Sequence, residues 1–148
     1  MPENTLNWSG NMKPNNQERA RMEFTIFGVP VPKGRPRVAC RGKFATMYTP
    51  KETRQAEEDF IRQSAEHKPK KPLEGSLGVM LWFYKKKPKS YPKKVTQWTT
   101  KPDIDNLTKL ALDAMNGLFY HDDAQIIELY VVKKYDEIPR TEVNIRKL

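Results

Sequence analysis

The chain has 148 residues, 37% hydrophobic and 30% charged, with 27 Lys and Arg against 18 Asp and Glu and a net charge of +9 at pH 7. That length suits one domain with its own core, and 10% aromatic residues is too many for a disordered chain. No run of 18 apolar residues offers a transmembrane helix, no apolar stretch near Met1 suggests a secretory leader, and the single Cys40 excludes an internal disulfide and a multi-cysteine zinc site, so a reducing cytoplasmic setting is expected.

Residues 1–21 carry five Asn and no hydrophobic period, and read as a flexible tail before a domain over 22–148. Met22 to Val29 alternates through Phe24 and Ile26, the pattern of a strand. Pro30, Pro32 and Pro36 then hold an extended basic loop. Phe44 to Tyr48 reads as a short strand. At Thr49-Pro50-Lys51-Glu52, Thr49 is expected as N-cap, Pro50 as the first helical residue and Glu52 as the partner in a capping box. That helix runs to about Glu66. Its narrow apolar face of Ala56, Phe60 and Ile61 suits the covering of a sheet edge.

Leu77 to Tyr84 is an apolar run bounded by Gly75 and a lysine cluster, the signature of a buried strand. Residues 85–102, broken by Pro88, Pro92 and Pro102, form a long loop, and such loops tend to be functional. A second helix follows over 106–116, with Leu107, Leu110, Ala111, Ala114 and Leu118 in one stripe. Asp105, Lys109, Asp113 and Asn116 fall on its opposite half, and Asn116-Gly117 is the stop. Ile126 to Tyr135 reads as a strand, 136–140 as a turn, and Thr141 to Leu148 as a closing strand.

Charge is unevenly distributed along these elements. Lys33, Arg35, Arg37, Arg41 and Lys43 form a run without an acid, and so do Lys85, Lys86, Lys87, Lys89, Lys93, Lys94 and Lys101. Between Pro102 and Tyr130 the sign reverses, with six acids against Lys109 alone. A domain this basic suits a polyanion, the plain alternative being a merely soluble basic protein. Two basic loops flanking acids suit phosphates held beside a carboxylate-bound metal.

The acids fall in Asp103-Ile104-Asp105-Asn106 and His121-Asp122-Asp123-Ala124-Gln125. Hard divalent cations take oxygen ligands, usually a few carboxylates with water and substrate phosphate. In an extended stretch Asp103 and Asp105 point to one side. A return of the chain along the second helix would bring Asp122 or Asp123 back near Asp105. Each residue also has a plainer reading. Asp105 suits an N-cap, Asp122-Asp123 a solvated turn, and Lys109 ordinary helix pairs with Asp105 and Asp113. Asp113 lies about 12 Å along the helix from Asp105, which favours a structural pair with Lys109. His121 suits a turn residue as well as a ligand. Trp82, Phe83 and Tyr84 read as core. Tyr91 and Trp98 could stack on bases or pack against the solvent side of the fold.

The block Asp103-Ile-Asp105-Asn106-Leu107-Thr108-Lys109, the following helix with Asp113-Ala114, and Asp122-Asp123-Ala124-Gln125-Ile126 resemble the signature of RusA-type Holliday junction resolvases. Pro32-Lys33-Gly34-Arg35-Pro36-Arg37 and Tyr48-Thr49-Pro50 are similar to many members, and the resemblance spans roughly residues 23–147. It implies a homodimeric, Mg²⁺-dependent endonuclease, with Mn²⁺ able to substitute, that cuts four-way DNA junctions by paired symmetric nicks. The implied metal carboxylates are Asp103, Asp105 and Asp123, and the implied catalytic lysine is Lys109. Lys33, Arg35, Arg37, Arg41, Lys43, Lys85, Lys86, Lys87, Lys89, Lys93 and Lys94 are the expected phosphate contacts. Members are common in phage and prophage genomes and act in DNA recombination and repair. No membrane and no small-molecule organic cofactor is expected.

Together, the elements and the resemblance give an α/β (α+β) class: a single two-layer domain, a mixed β-sheet with two main helices packed on it, paired as a homodimer. Three rivals remain open: a metal-dependent nuclease acting on flap or duplex DNA, a non-catalytic junction-binding protein, and a metal-dependent nucleotide hydrolase.

Overall fold

The computed structural model describes residues 21–148; the tail expected before them lies outside these residues, except for Arg21, which opens the first strand. The elements are β1 (Arg21–Phe27), β2 (Arg37–Arg41), β3 (Phe44–Tyr48), α1 (Lys51–Ser64), β4 (Leu77–Lys85), α2 (Ile104–Met115), a 3₁₀ turn (Asp123–Gln125), β5 (Ile126–Tyr135) and β6 (Arg140–Lys147). Four strands form a mixed sheet in the order β1-β6-β4-β5, while β2 and β3 make a separate two-stranded hairpin. The expected single α+β domain, with a mixed sheet and two main helices, is the fold observed.

Strand β4 is apolar at nearly every position because it lies inside the sheet. It pairs antiparallel with β6 on one side and parallel with β5 on the other, and Leu77 through Tyr84 are all buried. Alternate residues serve opposite faces. Leu77, Val79, Leu81 and Phe83 join Phe24, Ile26, Val143 and Ile145 in the main core with the helices, whereas Met80, Trp82 and Tyr84 form a second cluster with Val132. The apolar stripe of α2 is buried as expected at Leu107, Leu110, Ala111 and Ala114. Leu118 falls past the helix end and is only partly buried. On α1, Phe60 enters the core while Ile61 stays exposed, and the helix packs against the edge strand β1 and against α2.

Parallel strands need a long crossover, and α2 supplies it between β4 and β5. Lysines fix where the helix begins. Lys133 Nζ donates to the carbonyls of Thr100 (2.8 Å) and Pro102 (2.7 Å), and Lys85 Nζ reaches the Lys101 carbonyl at 3.5 Å. The stretch before α2 therefore lies at the carboxyl ends of β4 and β5. Trp98 is buried at 4% exposure, stacked on Tyr135 with both ammonium groups 4.7 Å from its ring centre. It anchors the lysine-rich loop rather than standing open to bases. Trp82, Phe83 and Tyr84 are core, as read from the sequence.

Two helix starts differ from expectation. Pro50 has ψ 144°, an extended value, so it occupies the N-cap itself and α1 begins at Lys51 without a side-chain cap. The Thr49 hydroxyl stands one residue too early, and the expected capping box does not form. In α2 the N-cap is Asp103 (ψ 147°) rather than Asp105, which sits in the first turn. The Asp103 carbonyl accepts the first helical bond, from Leu107 N at 3.1 Å.

The loop between β1 and β2 is pinned to both helices. Lys33 N donates to the Asn106 carbonyl at 2.9 Å, and Gly34 N donates to the buried Thr53 hydroxyl at 2.8 Å. A Cβ on Gly34 would stand 2.7 Å from Thr53 Oγ1 and 3.1 Å from Pro50 Cγ, so only glycine allows this approach. Gly34→Ala is expected to cost about 1–3 kcal/mol of stability, the range for inserting a carbon into a packed site. Adding Thr53→Ala should recover part of that loss. Denaturant titration of the single and double variants checks both outcomes.

Candidate active site and nucleic-acid surface

The acidic residues divide between the two ends of α2. Asp103 stands at its start, beside the carboxyl end of β4, and its Oδ2 is 2.8 Å from Lys101 Nζ. Asp105 lies in the exposed first turn, where it accepts from Asn106 N at 2.9 Å. At the other end, Gly117 (φ +82°) turns the chain, with Gly117 N on the Tyr120 carbonyl at 2.8 Å. The chain passes straight from this turn into the 3₁₀ turn and β5. Strand β5 makes the return along α2 and starts only after this turn, so Asp122 and Asp123, ahead of it, come to lie beside Asp113 and Lys109. Asp123 thus feels the charges of both Lys109 and Asp113 on the outer side of α2.

The Asp122-Asp123 turn is held tightly. Asp122 is an N-cap accepting from Ala124 N, and Gln125 Oε1 accepts from Asp122 N (3.0 Å), forming a capping box. Gln125 Oε1 also accepts from His121 N (2.8 Å), and its Nε2 donates to the carbonyls of Leu73 (2.9 Å) and Gly75 (3.0 Å). One amide thus locks the acidic turn to the segment before β4. Asp followed three residues later by Gln is itself a capping-box signal in the sequence. His121 itself is exposed, with Nε2 3.8 Å from Glu74.

The Asp122 and Asp123 carboxyl groups are close enough to share one proton between them. The shared bond pushes the Asp123 pKa up, helped by burial and the Asp122 charge and opposed by Lys109. The same bond, then the Ala124 N–H, pulls the Asp122 pKa down. Beneath them Tyr120 is fully buried and donates to the Leu112 carbonyl at 2.6 Å. Burial first, then Asp123, Asp113 and Asp122, drive its pKa upward. Asp113 pairs with Lys109 Nζ at 3.1 Å, as expected, and also with Lys33 Nζ at 3.3 Å. Lys33 bonds Glu57 as well. Burial works against its charge, yet these two carboxylates outweigh it and hold its pKa above the ordinary value. Lys33 therefore ties α1 to α2 with its charge already matched.

The remaining expected phosphate contacts fall into two surfaces. Arg37, Arg41 and Lys43 stand exposed on the β2–β3 hairpin, with Arg35 just before it. In the long loop Lys89, Lys93 and Lys94 are exposed, whereas Lys85 covers Trp98, Lys86 lies 3.6 Å from Glu137, and Lys87 Nζ donates to the Pro92 carbonyl at 2.7 Å.

Among the described residues, no three His, Cys, Asp or Glu side chains converge on a position that could hold a metal ion. The donor chemistry still fits a hard cation. Mg²⁺ keeps several waters and needs only one or two carboxylates with substrate phosphate, and open carboxylates stand at both ends of α2.

Over residues 28–146 the sequence matches the family model described as Endodeoxyribonuclease RusA. The chain belongs to the RusA endodeoxyribonuclease family. It is therefore an enzyme of the hydrolase class, and nucleases of the RusA family are in general metal-dependent. An uncharacterised protein, YqaN of Bacillus subtilis (strain 168), is 34% identical over 137 residues, covering 86% of this chain and 96% of the relative. The crossover junction endodeoxyribonuclease rusA of Lactococcus phage r1t is 38% identical over 91 residues, covering 58% of this chain and 67% of the relative. Among the described residues no helix is long and apolar enough to cross a membrane.

The Asp122–Asp123 pair yields a pH prediction. An acid whose folded pKa is raised costs stability at neutral pH, and that cost is relieved as pH falls through the raised value. Asp123→Asn keeps a side chain that can bond Asp122 and removes the repulsion. In chelator it should melt above wild type at pH 7, and the gain should shrink on acidification toward pH 4. Thermal melts at both pH values check this.

Proposed function

We propose that this RusA-family nuclease resolves four-way DNA junctions, using Mg²⁺ or Mn²⁺ and working as a two-fold dimer that nicks opposed strands. The observation that carries this reading is the layout of charge. Carboxylates before, in and after α2, exposed at Asp105 and Asp122 and half-buried at Asp103 and Asp123, accompany the exposed Lys109, and the same small domain carries two basic elements, the hairpin and the 85–101 loop. A DNA-binding protein without nuclease activity needs only the basic elements, and a nucleotide hydrolase needs little of them. The phage relative's name supports the same substrate, and its source fits a phage or prophage origin.

The residues proposed to carry cleavage are Asp103, Asp105 and Asp123, as holders of the metal together with DNA phosphate, and Lys109. A bound divalent cation would supply an acidified water and neutralise charge on phosphate oxygens. Lys109 is exposed, and a cation beside the scissile phosphate stabilises the charge that develops there. Its pairing with Asp113 keeps it on the acidic face. Lys89, Lys93, Lys94 and the hairpin arginines hold flanking phosphates, where they set affinity without reading sequence. A two-fold dimer matches the symmetry of a four-way junction. Strand β5 lies at the sheet edge with Ile127, Leu129 and Tyr130 exposed, a surface suited to a second copy.

Labelled junction, flap, duplex and free nucleotides, each incubated in Mg²⁺ and in chelator, test the reading. Metal-dependent paired cuts in the junction alone support it, and preferential cutting of flap or duplex replaces it. Asp103→Asn, Asp105→Asn and Asp123→Asn should each abolish cleavage with junction binding near normal. Wild-type rates in all three variants would remove the assignment. Lys109→Ala should lower the cleavage rate more than affinity. An ordinary helix pair would instead cost about 0.5 kcal/mol of stability and no activity.

The loop is tested by salt. Replacing Lys89, Lys93 and Lys94 by Ala should shallow the dependence of log affinity on log salt by about 0.9 per lost phosphate contact. An unchanged slope in a salt titration excludes the loop from the interface.

A further inference from the structure

The β2–β3 hairpin stands outside the main sheet, and all but Ala39 of its ten strand residues are exposed. Its register divides it into two unlike faces. The pairs Arg37–Tyr48, Ala39–Thr46 and Arg41–Phe44 share one side, and Val38–Met47 and Cys40–Ala45 share the other. On the first side each aromatic ring lies across from an arginine, and the small Ala39–Thr46 pair separates the two sets. Phe44 and Tyr48 lie four residues apart on β3, about 14 Å at strand rise. Phe44 is 79% exposed and Tyr48 48%. Gly42 (φ +61°) and Lys43 form the tip, and no acid occurs between Glu23 and Glu52.

An exposed phenylalanine is costly in water and makes poor contact with a phosphate. Rings set beside cations on an extended strand suit bases whose faces are open, because stacking and backbone attraction then act together. Inside a duplex those faces are covered by neighbouring pairs. At a branch point or in a single strand they are accessible.

We propose that the arginine–aromatic face of the hairpin is a base-stacking arm that takes unstacked nucleotides of branched DNA, with Phe44 as its main platform and Tyr48 as the second. This rests on the DNA-cleaving reading and adds a recognition site distinct from the carboxylates. The arm distinguishes branched from continuous DNA by base accessibility, a discrimination that phosphate contacts alone do not provide.

The test uses the full chain in chelator with three probes: a four-way junction carrying 2-aminopurine at the branch point, a single strand carrying it internally, and a continuous duplex. Wild type should change the 2-aminopurine fluorescence of the first two. Phe44→Ala should abolish that change and weaken binding to both roughly tenfold, the scale of one lost base stack, while duplex binding stays the same. Phe44→Tyr should restore both signals, and Val38→Thr on the opposite face should leave them intact. Equal fluorescence and affinity in Phe44→Ala and wild type overturns the proposal. So does a Phe44→Ala protein that loses self-association in sedimentation but keeps its DNA signals, since the face would then contact a second copy. Cleavage of the same junction in Mg²⁺ separates the two readings. A wild type that cuts normally while Phe44→Ala shows no DNA defect removes the arm alone. A wild type that cuts no DNA removes the nuclease reading, and the fluorescence result then decides the arm by itself.

Discussion

The parallel pairing of β4 with β5 is the constraint on which the acidic face depends. Two parallel neighbours cannot be joined by a tight turn, so the chain must cross from one end of the sheet to the other, and α2 is that crossing. Its apolar stripe is consumed by the core, so its polar residues face outward by default. Asp105, Lys109 and Asp113 recur every four residues along that outward side. Residues just before the helix are bound to one end of the sheet by Lys85 and Lys133. Residues just after it are bound to the other end by Gln125. The carboxylates thus fall just before, along and just after one crossover helix.

Along these residues, charge is balanced unevenly. Asp113 is flanked by Lys109 and Lys33, so its charge serves to hold α1 against α2. Asp122 and Asp123 stand side by side, and Lys109 is the positive charge acting on Asp123. Burial deepens the conflict, because Tyr120 and the packed end of α2 replace water on one side. A carboxylate pair arranged this way is stabilised by any cation that approaches from solvent, whether a metal ion or a protein ammonium group.

The elements were legible where periodicity and burial agreed. The alternation of β1, the continuous apolar run of β4 and the stripe of α2 are each imposed by the surface they cover, so the pattern survives in sequence. The capping signals were less dependable because they need a backbone angle as well as a residue type. Thr49 and Glu52 have the right types, yet Pro50 adopts an extended ψ and takes the N-cap itself. Asp122 and Gln125 carry the same pattern with no proline between them, and the box forms. Trp98 was unreadable as an anchor because its partners, Tyr135, Lys85 and Lys133, come from two strands distant in sequence. The acids were visible as residues, but not the grouping of Asp123 with Lys109 and Asp113, which depends on a turn geometry that sequence spacing does not encode.

The hairpin shows what a small fold gains from an element that it does not pack. An isolated two-stranded hairpin is marginally stable in water, and this one leaves its side chains to solvent. Its entry, however, is fixed on both sides. Gly34 is pressed against Thr53 and Pro50, Lys33 is bound to Asn106, Glu57 and Asp113, and Pro50 leads directly into α1. The Lys33 contacts join the base of the hairpin to the same Asp113 that holds Lys109. One carboxylate is thus shared between a lysine of the hairpin base and the lysine of the acidic face. Lys33, Asp113, Lys109 and Asp123 in this way form one run of alternating charge that leads from the base of the hairpin to the acidic face.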